Sequence, residues 1–315
     1  MKIVVLDAAT LGADIDLSPL CECGEVTVYG DTQPSLISER LTDADVAVLN
    51  KLKLGEHNLA SAKSLKLICV TATGYDNIDT EYCKKRGIAL YNVPAYSTDS
   101  VAQITLTMAL SLICHGEEYR RYVGSGEYGM SGVANKLTPV YHELSYLTWG
   151  VVGGGSIGSR VAELASAFGC KILMCRRKTD ERYENCDIDD ICRRSDIISL
   201  HVPLTDSTRG LINEERIRSM KKGAIIVNVA RGAVMDEEAA AKAILDGHLG
   251  GLGVDVFTKE PFDESHPFST IAHRPDVFLT PHMAWGSFES RARCIAAVCE
   301  NIESFKHGSE KNRIV

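Results

Sequence analysis

The sequence predicts an α/β protein of two Rossmann-like, doubly wound domains, the first flavodoxin-like and discontinuous and the second of the Rossmann type. Three observations predict this fold. Short β-branched runs alternate with helical stretches along the chain, which is typical of parallel sheets. A chain of 315 residues with 45% hydrophobic residues is too long for one comfortable core. A glycine-rich turn at residues 153–158 follows one apolar run and precedes a helical stretch.

The first domain is expected to hold a five-stranded parallel sheet. Its strands are predicted at residues 2–6, 26–29, 46–49, 65–70 and 88–92. A helix beginning near residues 97–100, where Ser and Asp side chains offer caps, then leads into the second domain.

The second domain is expected to hold six strands. They are predicted at residues 148–152, 171–174, 197–200, 224–227, 251–254 and 277–279. Six strands with intervening helices match a doubly wound nucleotide-binding sheet.

The last predicted helix, residues 287–306, carries Ile295, Val298, Ile302 and Phe305 at the spacing of one helical face. Because the second sheet is complete by then, we expect this helix to return to the first domain. The predicted domains are therefore residues 1–97 plus 287–315 (substrate domain) and residues 98–286 (dinucleotide domain), with a hinge near residues 94–100 and 284–290. The polar tail from Gly308 is expected to be frayed.

Composition and charge exclude several classes of protein. A net charge of −8 argues against general affinity for nucleic acid. No apolar stretch reaches the roughly 20 residues that span a bilayer, and the first apolar run is too short for a signal peptide. The eleven cysteines are scattered, which favours reduced thiols over a metal site or a disulfide framework. We therefore expect a cytoplasmic protein with no membrane or nucleic-acid partner.

The glycine-rich turn has the spacing of a dinucleotide-binding site. Gly153 would permit the tight turn, Gly155 the approach of a pyrophosphate, and Gly158 close packing of helix on strand. Ser156 and Ile157 would begin the helix whose amides face the anion. A glycine-rich turn without a ligand is the alternative.

Basic residues follow the next predicted strand, where an acid usually binds the adenosine ribose of NAD. The run is Arg176-Arg177-Lys178. A guanidinium cannot accept the ribose hydrogen bonds, but it can bind a 2′-phosphate through two N–H groups. We therefore predict that NADP(H) is favoured. In the alternative, these cations only solvate a loop and NAD(H) remains possible.

Three ionisable residues follow the ends of predicted strands and suit a hydride-transfer reaction. Arg231 could hold a carboxylate and polarise the adjacent carbonyl. His282 could deliver and recover a proton near neutral pH. Glu260 could accept a hydrogen bond from the other ring nitrogen. Taken singly, each has a structural alternative: a salt bridge, a buried histidine or a solvated loop residue.

These motifs together resemble the D-isomer-specific 2-hydroxyacid dehydrogenase family, in its glycerate dehydrogenase and hydroxypyruvate reductase branch. The resemblance covers nearly the whole chain. It rests on residues 153–158, 195–205 with Thr208, 220–236, 253–257 and 280–282.

The resemblance implies that Arg231, Glu260 and His282 are the catalytic residues, and that Asp255 binds the nicotinamide carboxamide. Residues implied to line the adenosine side or approach the nicotinamide are His201, Val202, Pro203, Thr208, Val229 and Ala230. In the first domain, Thr73 and Gly74 resemble the loop that receives the substrate carboxylate.

The sequence departs from the commoner family pattern in three places. Arg176 stands where an acid is usual, Gln103 where many relatives have Glu, and Trp285 where many have Gly. Trp285 would wall the substrate cavity, so a small substrate is expected. The resemblance also implies a homodimer formed through residues 101–122 and the arm that follows.

The expected function is therefore reversible reduction of a small 2-oxoacid, of the hydroxypyruvate or glyoxylate class, to the D-2-hydroxyacid with NAD(P)H. A reductase of another 2-oxoacid or sugar acid is one alternative. The other is a cofactor-sensing binding protein like the corepressors that share this fold.

Overall fold

The computed structural model describes residues 1–177 and 181–315, which form two compact units. The first unit is Met1–Ser97 with Gly286–Val315, and the second is Thr98–Trp285. Gly286 thus lies in the first unit, whereas residue 286 was predicted to lie in the second.

The described residues form twelve strands. They are β1 (Lys2–Val5), β2 (Glu25–Val28), β3 (Val46–Leu49), β4 (Leu67–Val70), β5 (Ala89–Tyr91), β6 (Thr148–Val152), β7 (Lys171–Cys175), β8 (Glu184–Asn185), β9 (Ile197–Leu200), β10 (Ala224–Asn228), β11 (Leu249–Val254) and β12 (Val277–Leu279).

Twelve α-helices lie between and beside these strands in the same described ranges. They are α1 (Leu20–Cys23), α2 (Ile37–Arg40), α3 (Glu56–Leu59), α4 (Thr80–Arg86), α5 (Thr98–Ile113), α6 (Gly116–Gly124), α7 (Glu127–Ser131), α8 (Ser156–Ala167), α9 (Ile188–Arg194), α10 (Glu214–Ser219), α11 (Glu237–Leu245) and α12 (Phe288–Lys306).

The first unit contains a parallel sheet in the order β2-β1-β3-β4-β5, to which α12 returns. This is the flavodoxin-like, doubly wound order that the sequence predicts. Helix α12 packs against β4 and α1 and buries Ile295, Val298 and Ile302. The apolar spacing on this helix therefore identified the face that packs.

The expectation of a frayed C-terminal tail was wrong. The amide of Ile314 donates to the carbonyl of Leu90 at 2.7 Å, and the amide of Leu90 donates to that of Val315 at 3.2 Å. Ile314 and Val315 also pack against the core of the first unit. The last two residues supply hydrogen-bond partners to the backbone at the open edge of β5. The polar composition of the segment before them gave no sign of this pairing.

The second unit contains a parallel sheet in the order β12-β11-β10-β9-β6-β7-β8. The prediction of six strands was wrong, because the described residues of this unit form seven. Strand β8 has only two residues, both exposed, so it leaves no apolar period. It occupies the third position of the Rossmann order, and β12 is an additional strand beyond β11.

Alternate residues of the central strands face opposite helix layers, as buried parallel strands require. In β10, Ile225 and Val227 pack in the cluster that contains Trp149, whereas Ile226 packs in the cluster of the opposite face. Both faces of the second sheet are therefore covered, and the loops described below leave the sheet at its carboxyl edge.

Membrane-spanning helices and clusters of metal-binding side chains are both absent from residues 1–177 and 181–315. No helix there is long and apolar enough to cross a membrane. No group of three or more His, Cys, Asp or Glu side chains in these ranges is placed to hold a metal ion.

Candidate active site and dinucleotide site

The carboxyl edge of the second sheet gathers the predicted site residues of this unit. The glycine turn follows β6, His201 follows β9, residues 229–231 follow β10, and His282 follows β12. Because these strands are parallel, their ends meet at one edge, where doubly wound sheets bind ligands.

The glycine turn has the geometry of a pyrophosphate site. Gly153 has φ of +107°, and a Cβ there would lie 2.6 Å from the carbonyl oxygen of His201. A Cβ on Gly158 would lie 1.9 Å from the carbonyl oxygen of Gly153, so the helix packs directly on the turn. Gly155 faces open space, and Ser156 and Ile157 begin α8. These residues fit a dinucleotide, whose anion the helix amides would meet.

His201 and Val202 lie directly beside this turn. The amide of His201 donates to the carbonyl of Val152 at 2.7 Å. Its two ring nitrogens are shielded from solvent and have no hydrogen-bond partner among the described residues. Burial lowers the pKa of His201 to about 3, so the ring is neutral.

The loop after His201 is fastened by Thr208. Its hydroxyl donates to the carbonyl of Pro203 at 2.6 Å and accepts from the amide of Thr205 at 2.8 Å. The cofactor contact of Thr208 stays a prediction, and the hydrogen bonds of its hydroxyl hold the backbone of this loop in place.

Arg176 lies over the glycine turn. A Cβ on Gly154 would come within 2.5 Å of the Arg176 Cδ, so the Arg stem packs against that glycine. Arg177 follows it and is exposed, and Lys178 lies outside the described residues. The end of β7 therefore brings a guanidinium group close to the turn.

Arg231 lies in a turn that Asn228 holds in place. The buried Asn228 side chain accepts from the amide of Ala230 and donates to the carbonyl of Arg231, both at 3.0 Å. Arg231 Nη1 donates to the carbonyl of Ala230 at 2.8 Å. Asn228 was not predicted as a site residue, although a carboxamide at the end of an apolar strand is a signal that the sequence contains. Val229 is half-buried in the same turn.

His282 and Glu260 form a pair. His282 Nδ1 lies 2.6 Å from Glu260 Oε2, and Glu260 Oε1 accepts from the amide of Phe257 at 2.9 Å. A carboxylate partner keeps the proton on Nδ1, so Nε2 is the ring nitrogen at which a proton could be exchanged. The pair is thus arranged for general acid and base chemistry.

Asp255 holds the turn that carries His282. Its carboxylate accepts from the hydroxyl of Thr280 at 2.6 Å and from the amides of Met283 and Ala284 at 2.8 and 3.0 Å. Burial raises the pKa of Asp255, and these hydrogen bonds oppose the rise. Asp255 therefore has a structural task besides the nicotinamide contact that the resemblance implies.

The backbone of His282 itself is in the left-handed region, with φ of +53°. The indole N–H of Trp285 donates to the carbonyl oxygen of His282 at 2.9 Å. Non-glycine residues rarely adopt this conformation, because it is energetically unfavourable unless surrounding contacts stabilise it. Trp285 supplies part of that support.

Thr73 and Gly74 follow β4 in the first unit. The hydroxyl of Thr73 donates to the carbonyl of Val93 at 2.9 Å, and the side chain of Asn92 donates to the carbonyl of Thr73 at 2.7 Å. Hydrogen bonds from two side chains to backbone carbonyls thus hold this loop in place.

Comparison with known proteins gives a consistent result. A family model described as "D-isomer specific 2-hydroxyacid dehydrogenase, NAD binding domain" matches residues 106–284, more than half of the chain. The sequence is 32% identical to a hydroxypyruvate reductase of Blautia hydrogenotrophica over 321 residues, with 99% of each chain covered. It is 35% identical to a glyoxylate reductase of Pyrococcus horikoshii over 295 residues, covering 90% of this chain and 87% of that enzyme.

Solved structures agree with the sequence relatives. The fold is similar to that of D-lactate dehydrogenase from Aquifex aeolicus, solved with NAD and lactic acid, with a TM-score of 0.88 and 30% identity over 100% of this chain and 99% of that one. Together, the matched family model and the full-length relatives establish that this chain belongs to the D-isomer-specific 2-hydroxyacid dehydrogenase family.

Proposed function

We propose that this protein reversibly reduces a small 2-oxoacid, of the hydroxypyruvate or glyoxylate class, to the D-2-hydroxyacid. The observation that carries the proposal is the 2.6 Å contact between His282 Nδ1 and Glu260 on the sheet edge that also carries Arg231 and the glycine turn. An imidazole backed by a carboxylate suits proton transfer to a developing alkoxide.

A nicotinamide dinucleotide, when bound, supplies the hydride that adds to C2 of the oxoacid. The carbonyl electron pair then moves onto the oxygen, which takes the proton from His282 Nε2. Glu260 stabilises the protonated ring through Nδ1. Arg231 holds the substrate carboxylate and stabilises the negative charge that develops on the carbonyl oxygen. In the reverse direction, neutral His282 removes the hydroxyl proton.

The preferred cofactor is NADP(H), with NAD(H) as the weaker alternative. The support is the Arg176 side chain, whose stem packs on Gly154 at the start of the pyrophosphate turn. A guanidinium at the end of the second strand of a Rossmann sheet is the group that binds a 2′-phosphate.

The preferred substrates carry a small substituent on C2. Trp285 is the proposed wall of the pocket, and Thr73 and Gly74 are proposed to present amides to the carboxylate. A hydroxymethyl group or a hydrogen on C2 would fit such a pocket, while a branched or aromatic substituent would not.

Steady-state kinetics with purified protein tests this proposal directly. We expect oxidation of NADPH with hydroxypyruvate and glyoxylate, with a higher kcat/KM than with NADH, and a falling rate as the C2 substituent grows. Failure to reduce any oxoacid, with tight cofactor binding retained, would instead favour a cofactor-sensing protein. A preference for a bulky oxoacid would overturn the substrate proposal alone.

We propose a homodimer formed through residues 101–122 and the arm that follows, residues 123–142. Apolar side chains there are exposed, including Val123, Met130, Leu137 and Val140 with relative exposures of 60% or more. Exposed apolar groups in one segment mark an association surface. Light scattering should give twice the mass of 34.3 kDa, and replacing Met130 and Leu137 with Ser should lower it to one chain.

A cytoplasmic location is also part of the proposal. All eleven cysteines lie in described residues and are free thiols. Unpaired thiols in this number are typical of a reducing compartment.

A further inference from the structure

A second carboxylate–imidazole pair lies in the same unit, apart from the proposed catalytic residues. His266 Nε2 is 3.0 Å from Glu237 Oε2, and the two side chains are only 6% and 9% exposed. Burial of such polar groups is energetically tolerable only when each of their polar atoms has a hydrogen-bond partner.

The hydrogen bonds of the pair determine its protonation. His266 Nδ1 accepts from the amide of Phe268 at 3.2 Å, so its proton is on Nε2 and is donated to Glu237. Glu237 Oε1 accepts from the amide of Thr258 at 2.9 Å. Since both carboxylate oxygens accept, Glu237 acts as an ionised acceptor that joins His266 to the backbone of Thr258.

Aromatic rings enclose His266 and restrict its movement. Its ring centroid lies 4.8 Å from that of Phe262, 5.1 Å from Phe268 and 5.9 Å from Phe257. Glu237 is the first residue of α11, whose start is capped by the side chain of Asp236. Both members of the pair are therefore fixed by their own elements.

The Thr258 amide that Glu237 holds lies two residues before Glu260. The preceding amide, that of Phe257, donates to Glu260 Oε1. The same stretch of backbone packs on Gly232, where a Cβ would lie 2.2 Å from the Thr258 nitrogen and 2.1 Å from the Phe257 carbonyl carbon. Gly232 directly follows Arg231, so one short segment borders both proposed catalytic loops.

We propose that Glu237 and His266 are positioning residues that clamp the Phe257–Thr258 backbone and thereby hold Glu260 against His282. The inference rests on the proposed function, because the clamp matters only if His282 is the proton donor and Glu260 is its carboxylate partner. A misplacement of about 1 Å at such a group can cost up to about 100-fold in rate.

Substitutions that change one hydrogen bond at a time can separate the clamp from general stability. Glu237→Gln leaves one oxygen and one N–H₂ group, so it cannot accept from both Thr258 and His266. His266→Asn keeps an acceptor for the amide of Phe268 but loses the donor to Glu237. His266→Gln keeps the donor to Glu237 but loses that acceptor, so it is the conservative variant.

The experiment measures kcat and KM for oxoacid reduction across pH in these three variants, with thermal unfolding alongside. We expect kcat to fall about 10- to 100-fold in Glu237→Gln and His266→Asn, with little change in the KM for cofactor. We also expect the pH profile of kcat to differ from that of the wild type, because Glu260 would be held less closely against His282. His266→Gln should recover most of kcat.

Matched controls are Glu238→Gln and His273→Asn, which alter exposed residues of the same types in this unit. They should leave kcat and the pH profile unchanged. Wild-type kcat and pH profile in both Glu237→Gln and His266→Asn, with only the unfolding temperature lowered, would overturn the clamp. If Glu237→Gln does not fold, the contrast between His266→Asn and His266→Gln still decides, and equal kcat in both would overturn it.

Failure of the proposed function looks different. An inactive wild-type protein, or a Glu260→Gln variant as active as the wild type, would remove the role of Glu260 itself. An active wild type that loses activity in Glu260→Gln but in neither Glu237→Gln nor His266→Asn would remove only the clamp.

Discussion

The indole N–H of Trp285 donates a hydrogen bond to the backbone carbonyl oxygen of His282, at 2.9 Å. His282 has a left-handed backbone conformation, so the bond stabilises an otherwise unfavourable turn at the proposed proton donor. The residue predicted to wall the pocket therefore also orients the residue that would transfer the proton.

Replacing Trp285 with Phe should lower kcat more than it raises the KM for substrate. The ring volume is largely kept, while a hydrogen bond worth about 1 kcal/mol is lost, which corresponds to roughly 5-fold in rate. Trp149→Phe is the matched control, since it removes an indole bond to Ser199 inside the core, away from His282. An unchanged kcat in Trp285→Phe would show that the bond does not orient the histidine.

Replacing His282 with Ala should reduce turnover by about 10²- to 10⁴-fold, the usual contribution of general acid catalysis. Cofactor affinity, measured by fluorescence titration, should change little, because the glycine turn and its helix are built from other residues. Wild-type turnover in this variant would exclude His282 as the proton donor.

Replacing Arg176 with Asp should reverse the cofactor preference. We expect kcat/KM with NADPH to fall at least about 10-fold relative to NADH, because a carboxylate repels the 2′-phosphate and accepts from ribose hydroxyls. Arg193→Asp makes the same charge change on α9 and should leave the ratio unaltered. A ratio unaffected by the Arg176 change would favour the alternative that this arginine only solvates a loop.

The stability of the cofactor-free protein should fall as pH drops below about 6.5, in part because of His201. Burial lowers its pKa in the folded state from 6.5 to about 3. The unfolded chain therefore binds a proton that the folded chain does not, and at pH 5 this costs roughly 2 kcal/mol.

Urea unfolding at pH 7.5 and at pH 5 checks this contribution. His201→Phe should lose less stability than the wild type over that interval, while His142→Phe, at an exposed position, should match the wild type. Equal losses in His201→Phe and the wild type would show that His201 does not titrate in this way.

The sequence predicted those elements whose pattern repeats over several residues. The long buried strands and the spacing on α12 were read correctly, because burial of an apolar face leaves a period in the sequence. Strand β8, with two exposed residues, and the pairing of Ile314 with Leu90 leave no such period. Both depend on neighbouring strands that lie far away in the sequence.

At the candidate site, the sequence predicted the proposed catalytic side chains but not the hydrogen bonds that hold their turns in place. The sequence identified His282 and Glu260 as residues able to transfer and stabilise a proton. It did not reveal that Asn228 fastens the turn of Arg231 or that Asp255 fastens the turn of His282. Those tasks depend on where backbone amides point, which emerges only after the strands have assembled.

The pairing of Ile314 with Leu90 affects the order in which the two units can fold during synthesis. The first unit includes α12 and the pairing of Ile314 with Leu90, so its contacts can be completed only after residues 286–315 have been synthesised. The second unit draws all its residues from one continuous stretch, Thr98–Trp285, and can complete its contacts earlier. During synthesis, the N-terminal segment therefore lacks part of its fold until after the residues of the second unit have been made.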